Sequence, residues 1–365
     1  MKKQDLYRIK IDDLNQAMYD MVKKNWDALA KPLDGLGDFE EILCKIGGIA
    51  GLDQTYDISK KVLVIFCADN GVVQEGVSQT GKEVTYMVAS LMGKNASSVG
   101  RMTKNYPLEI IPVDMGMDSD ETPAGVLPRK VQRITGDILK EAAMSEEDCL
   151  KAIETGIEVA QMCKEKGFHI AATGEMGIGN TTTSTALYVA LTGENPDDIT
   201  GRGAGLPDEA LEHKKKVIRD TLIFHGFDQV SDPSREMAFK ALQSVGGFDI
   251  AGLTGFFIGC GLYHLPVVID GFISAVSALT AERLCPGVRK YMIASHKGRE
   301  TGCMRALSHL GLKPVIDGSM ALGEGTGAVM LFPLLDMVFE LYRSGTAFAD
   351  SDIEQYERYD KIKVE

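Results

Sequence analysis

The chain has 365 residues, with 39 Lys and Arg against 52 Asp and Glu, for a formal net charge of −13 at pH 7. That balance argues against a general nucleic-acid or anionic-membrane surface, so an anionic small substrate has to be met by local cations and not by a global field. Hydrophobic content of 44% and charged content of 25% are those of a globular protein long enough for one large domain and a smaller one.

No uncharged apolar run reaches the roughly 18 residues of a membrane span. The polar start Met1-Lys2-Lys3-Gln4-Asp5 lacks a signal-peptide core, so the expectation is a cytoplasmic protein with no membrane and no nucleic-acid partner. Seven cysteines are scattered without a C-x-x-C pair and read as reduced thiols. The six His are dispersed, and neither a metal nor another cofactor is expected.

Taken in order, residues 9–30 carry apolar side chains at helical spacing up to Lys31-Pro32. A Pro- and Gly-containing loop, Lys31–Gly37, leads into a second helix from Phe39 to Ile49. The run Val62–Ala68 is continuously apolar, as in a parallel strand covered on both faces, and Asp69-Asn70-Gly71 ends it. A loop holding Ser78 precedes a helix from about Lys82. The next strand is Leu108–Asp114, with a further one possible over Arg129–Ile134, and helix 146–165 leads to the strand Phe168–Ala172. Further on come helix 207–224, an apolar helix from Gly246-Gly247-Phe248 to about Cys260, the strand Leu265–Ile269 ending in Asp270-Gly271, and helix 272–284. Then follow the strand Tyr291–Ala294, helix 299–310, a short strand Pro314–Ile316, and a last apolar helix that Pro333 kinks or restarts. The acidic stretch after Ala347 reads as a polar terminal helix. Strands alternating with helices give a parallel α/β sheet, and ligands of such sheets sit beyond the carboxyl ends of the strands. The loops at 69–71, 174–182, 270–271, 295–297 and 318–325 should therefore converge on one cleft.

The most informative stretch is Gly174-Glu175-Met176-Gly177-Ile178-Gly179-Asn180-Thr181-Thr182-Thr183. It joins a buried strand to a helix start and exposes unpaired backbone N–H groups at the positive end of a helix dipole, an arrangement that receives phosphate or another anion. An ordinary strand-to-helix turn also needs glycine for positive φ. One glycine would suffice for that, whereas three glycines, an Asn and a hydroxyl run favour the anion site. No Lys follows the last glycine and the G-x-G-x-x-G spacing is absent, so this is neither a Walker A loop nor a dinucleotide fingerprint.

Glu324, between glycines at a turn into a helix, is the first choice for proton transfer, although a carboxylate favoured by the helix dipole would look the same in sequence. Glu175 has the same two readings and could orient a ribose hydroxyl. Arg202, Lys214, Lys297 and Arg299 are candidate cations for phosphate or carboxylate, with plain surface solvation as the alternative for each. His296 follows a strand end and could contact substrate.

These motifs together carry a resemblance. The run Gly174–Leu187, with Asp69-Asn70-Gly71, Glu75-Gly76-Val77-Ser78, Gly201-Arg202-Gly203-Ala204-Gly205, Asp270-Gly271-Phe272, Ser295-His296-Lys297 and Leu322-Gly323-Glu324-Gly325-Thr326-Gly327, resembles the nicotinate-nucleotide–dimethylbenzimidazole phosphoribosyltransferase family over nearly the whole chain. The resemblance implies a Rossmann-like parallel sheet of about six strands with helices on both faces, and a small helical domain built from the two termini. The expected division is 1–55 for the N-terminal helices, 56–335 for the α/β domain and 336–365 for a C-terminal helical segment. It also implies a homodimer, with nicotinate mononucleotide and an azole base as substrates. Glu324 takes the place of the family's general base. Gly177, Ile178, Gly179, Asn180, Thr181 and Thr182 form the phosphate loop, and Asp69, Ser78, Glu175, Arg202, Gly203, Lys214, Ser295, His296, Leu322 and Gly325 complete the substrate-facing set. Ser78 is expected at the edge of the base pocket, with Met87 and Leu322 as apolar walls.

Two segments depart from the family pattern. Gln79-Thr80-Gly81 stands where many members have Ala-Tyr-Pro, and Lys297–Cys303 differs from Arg-Ser-Ala-Glu-Pro-Gly-His. A non-catalytic partner subunit of the same family would be expected to have lost the acid at 324, which is present here.

Overall fold

The structure, a computed structural model, describes residues 1–51, 57–228 and 233–358. Six strands, β1 (Lys61–Ala68), β2 (Leu108–Gly116), β3 (Leu127–Pro128), β4 (Ile170–Met176), β5 (Val267–Ile269) and β6 (Met292–Ala294), form one parallel sheet in the order β3-β2-β1-β4-β5-β6. All eight residues of β1 are buried. Successive side chains of a strand point to opposite faces. Val62, Val64, Phe66 and Ala68 accordingly enter one core while Leu63, Ile65 and Cys67 enter the other. Burial on both faces is why this strand is apolar throughout and does not alternate.

On the first face lie the helices Glu146–Glu165 and Phe248–Leu262, the latter with Phe256 edge-on to Phe66 at 5.7 Å. The second face is covered by Asp38–Ala50 and Thr326–Ser344. The sheet is thus a doubly wound α/β layer, as expected.

Several local expectations are corrected. Residues 9–15 are not helical; the first part of the chain holds Lys3–Arg8 and Gln16–Ala28, because the Asn15 side chain accepts from Met18 N–H and starts a new helix there. Only Leu127–Pro128 pairs as β3, although Arg129, Val131 and Ile134 N–H groups still reach the carbonyls of Asp114, Met115 and Gly116. The strand expected at Pro314–Ile316 is shifted to β8 (Ile316–Met320), which pairs with β7 (His296–Gly298) in a separate two-stranded ribbon. Pro333 sits inside one unbroken helix, Thr326–Ser344. The terminal helix after Ala347 is absent over the described residues, which hold one short turn, Phe348–Asp350. Arg358 draws this tail onto the helix Gln16–Ala28 and the turn after it through Asp27 and Asp34. Residues 359–365 lie outside the described set. All seven cysteines are unpaired and buried.

The helices Glu146–Glu165 and Phe248–Leu262 approach backbone to backbone. A Cβ on Gly255 would lie 1.9 Å from the Ile153 carbonyl oxygen, and one on Gly156 2.0 Å from that of Gly252. This contact seats the amino end of the second helix beneath the strand ends. Gly255→Ala should therefore destabilise the protein by about 1–3 kcal/mol or more through overpacking, read as a lower urea midpoint. An unchanged midpoint would mean that the helices are not this close.

Candidate active site

Strand order reverses direction between β1 and β4, and loops leaving neighbouring carboxyl ends there diverge to opposite faces of the sheet, opening a crevice. A cavity of about 330 Å³ occupies it. From the expected set, Ser78, Glu175, Gly177, Ile178, Gly179, Asn180, Thr181, Arg202, Gly203, His296, Leu322 and Glu324 line it. Asp69, Thr182, Lys214, Ser295 and Gly325 lie outside the lining. Asp69 is buried and accepts the Asp118 N–H at 2.8 Å. The loop at 69–71 supports the cavity from behind, with Asn70 Nδ2 donating to the Ile178 carbonyl. Met87 is 59% exposed, and Val88 from the same helix faces the cavity instead.

The turn after β4 reaches the Asn180–Thr192 helix through Gly179, whose φ of +93° is left-handed. Within it the amides of Ile178, Asn180 and Thr182 are already taken by Thr85 Oγ1, Gly177 O and Gly179 O. Lys214 is buried and donates to Thr181 Oγ1 at 2.7 Å and Gly201 O at 3.2 Å, so it ties the first glycine turn to the second. Burial lowers its ammonium to about 8, opposed by the charge of Glu300. Arg202 is held by Asp208 and by the Leu206 carbonyl. Lys297 and Arg299 are exposed, and Lys297 pairs with Asp317.

Glu324 stands between two left-handed glycines and is itself left-handed, with φ +57°. That conformation costs a non-glycine residue on the order of 1 kcal/mol. The turn is pressed against β4: a Cβ on Gly174 would lie 2.9 Å from the Glu324 carbonyl carbon. Its carboxylate does not cap the helix that follows it. Oε2 accepts the Val99 N–H at 3.0 Å, which fixes the side chain at the cavity wall. The same turn is anchored by Asp270, whose Oδ1 accepts the Ala328 N–H at 3.0 Å. The Ser295 hydroxyl gives its proton to the Ile269 carbonyl at 2.6 Å, so the His296 Nδ1 at 2.9 Å must donate to Oγ, which orients the ring.

The 270–271 loop reaches the cleft as expected, and Asp270 lines the cavity, although the expected substrate-facing set does not include it. Sequence reasoning missed other lining or supporting groups: Phe272 and Glu300 line the cavity. Asp249 lies behind it, where Asn180 Nδ2 bridges Glu175 Oε2 (2.5 Å) and Asp249 Oδ2 (2.9 Å). Burial pushes the Glu175 carboxyl up to about 8 against the Asn180 hydrogen bond, with Asp249, Asp270 and Glu300 adding to it. Burial likewise raises Asp249 to about 7, and it raises Asp270 and Glu300. A signal for Asp249 existed: it is the only charged residue in the helix Phe248–Leu262.

The geometry is that of a small-molecule site at a helix start, with one carboxylate fixed by a backbone N–H and a second whose proton affinity burial raises. The phosphoribosyltransferase family profile matches residues 11–353. The nicotinate-nucleotide–dimethylbenzimidazole phosphoribosyltransferase of Acetivibrio thermocellus is 40% identical over 95% of this chain and 97% of its own. The enzyme of the same name from Clostridium acetobutylicum is 39% identical over 95% and 96%. The crystal structure of CobT from Thermus thermophilus superposes with a TM-score of 0.85 at 30% identity, covering 93% of this chain and all of that one. The chain belongs to the nicotinate-nucleotide–dimethylbenzimidazole phosphoribosyltransferase family.

Proposed function

We propose that the protein transfers phosphoribose from nicotinate mononucleotide to 5,6-dimethylbenzimidazole or a related azole, giving α-ribazole 5′-phosphate and nicotinate. The observation that carries the reading is the Glu324 carboxylate, fixed by Val99 N–H in a left-handed turn and facing the glycine turn of the Asn180–Thr192 helix across one cavity. In the donor, nicotinate is a pyridinium on the anomeric carbon. When that C–N bond breaks its electron pair neutralises the ring nitrogen, so no general acid is needed. One azole nitrogen forms the new bond from the opposite face, which inverts β to α. The other azole nitrogen loses its proton to Glu324. The remaining acceleration comes from positioning and from a preorganised polar cleft.

Among the described lining residues Arg202 is the single Lys or Arg, against Glu175, Asp270, Glu300 and Glu324. The phosphate is therefore received by the amides that the turn leaves unused and by the helix dipole. Ser78 and Gln79 border the base end, where Gln79 Nε2 donates to the Gly205 carbonyl at 2.5 Å and joins the two loops over the cavity. Met87, Leu91, Met102, Met330, Met337 and Leu341 are exposed on three helices. Such a surface favours a homodimer, in which the Lys31–Gly37 loop reaches the partner's cleft. We place this enzyme in the cytoplasm, acting on small molecules without nucleic-acid or membrane partners.

Glu324→Gln should lower kcat by roughly 10²–10⁴-fold while nucleotide affinity stays within a few-fold; a variant turning over at near wild-type rate removes the general-base role. The nucleoside lacking phosphate should bind about 10²-fold more weakly than the nucleotide, and equal affinities by calorimetry would take the glycine turn out of the site. Because one methyl in an apolar pocket changes discrimination by only about 1–3 kcal/mol, benzimidazole should compete with dimethylbenzimidazole within about two orders of magnitude. Exclusive use of one base in a two-base competition contradicts this.

A further inference from the structure

The geometry points to Asp249 as a positioning residue that acts through the Asn180 carboxamide on Glu175. Asp249 is wholly buried at the start of the Phe248–Leu262 helix and does not line the cavity. Glu175 lines the cavity and is half-buried. Between them a single NH₂ group spends one hydrogen on each carboxyl group, at 2.5 Å to Glu175 and 2.9 Å to Asp249. Ionised Asp249 is an acceptor only, and the Glu175 oxygen that does not carry its proton is an acceptor too, so the Asn180 group placed between them is the nitrogen and not the oxygen. The second oxygen of Asp249 accepts the Ile250 N–H at 3.0 Å, so its carboxyl group is held at both ends. Asn180 is also the first residue of the helix that opens on the cavity. The bridge therefore fixes one wall residue and the helix start together.

The inference rests on the proposed transferase reaction, and of the two sequence readings of Glu175 it takes the one in which this cavity-lining carboxyl orients a ribose hydroxyl of the bound nucleotide. It adds a reason for the position and proton affinity of that carboxyl. Two desolvated carboxyl groups sharing one amide cannot both be ionised cheaply. With Glu175 raised to about 8 and Asp249 to about 7, Glu175 keeps a proton at neutral pH. A protonated Glu175 donates a hydrogen bond to a ribose hydroxyl and adds no negative charge beside the phosphate.

Other groups face this pair from every packed element. Asp270 follows β5 and is opposed by His296; Glu300 precedes the Thr301–Leu310 helix and is opposed by Lys214; Cys67 is the last residue but one of β1; and Asp69 acts on Asp249. Glu175 gains stabilisation of its neutral form from Asp249, Asp270 and Glu300, and loses it through Asn180. The two bridge residues therefore push its titration in opposite directions.

The test compares wild type, Asp249→Asn, Asn180→Ala and the double variant, each checked for folding by thermal melting. Two readouts are followed against pH: kcat/KM with nicotinate mononucleotide and dimethylbenzimidazole, and nucleotide affinity by calorimetry. Activity and affinity should fall as pH rises through about 8, and Glu175→Gln should lack that limb. Asp249→Asn keeps an acceptor for Asn180 but removes the charge, so the limb should move down by about one pH unit. Asn180→Ala should move it up, and the two losses of kcat should not multiply in the double variant. A limb unmoved in both single variants, or losses that multiply, overturns the inference. An Asp249→Asn protein that fails to fold leaves the Asn180→Ala shift to decide it. A wild-type protein that binds nucleotide with this pH dependence yet makes no product would instead refute the assigned reaction and leave the bridge standing.

Discussion

The parallel pairing of β1 with β4 is the constraint on which the rest depends. Seven registered pairs, from Lys61↔Ile170 to Cys67↔Met176, bring the two carboxyl ends level. The chain must then leave them in opposite senses, because helices cover both faces of the sheet. The crevice is a consequence of that topology, and no side chain is needed to create it. Side chains decide only what the crevice does. Gly174 lets the 323–325 turn press on β4, which brings a carboxylate from far along the chain to the glycine turn.

Desolvation is the second organising effect. The charged groups of the cavity wall are mostly acidic, in a protein whose net charge is already −13. A phosphate would be repelled if every wall carboxyl were ionised. The structure answers this by burial: Glu175, Asp270 and Glu300 are all raised, chiefly by burial. Lys214 meanwhile offsets Glu300 from beneath the surface and spends its hydrogens on Thr181 and Gly201. In the proposed reading, protonation of Glu175 and the backbone dipoles of the helix start take the place of a basic patch.

Much of this was legible in the sequence where backbone geometry restricts residue choice. The continuously apolar β1, the long helices 146–165 and 272–284, and the glycine turns at 174–179 and 323–327 left such marks. Residues 9–15 were not legible, because Ile9 and Ile11 are half-buried against the core from a non-helical segment, and helical spacing there is coincidental. The β7–β8 ribbon was not legible either, since its pairing joins segments whose short runs read equally well as part of the main sheet. Within the site, Glu324 announced itself by its flanking glycines. Asp249 stood out only as the lone charge of its helix, because its partner Asn180 is 69 residues away and only the fold brings them together.

The central claim is a single inverting displacement assisted by one carboxylate. Its most direct test is the anomeric configuration of the product, read by proton NMR after incubation of the protein with β-nicotinate mononucleotide and dimethylbenzimidazole. The account predicts an α-configured ribazole 5′-phosphate formed in equal amount with released nicotinate. A β-configured product, or nicotinate released without any azole nucleotide, would contradict it.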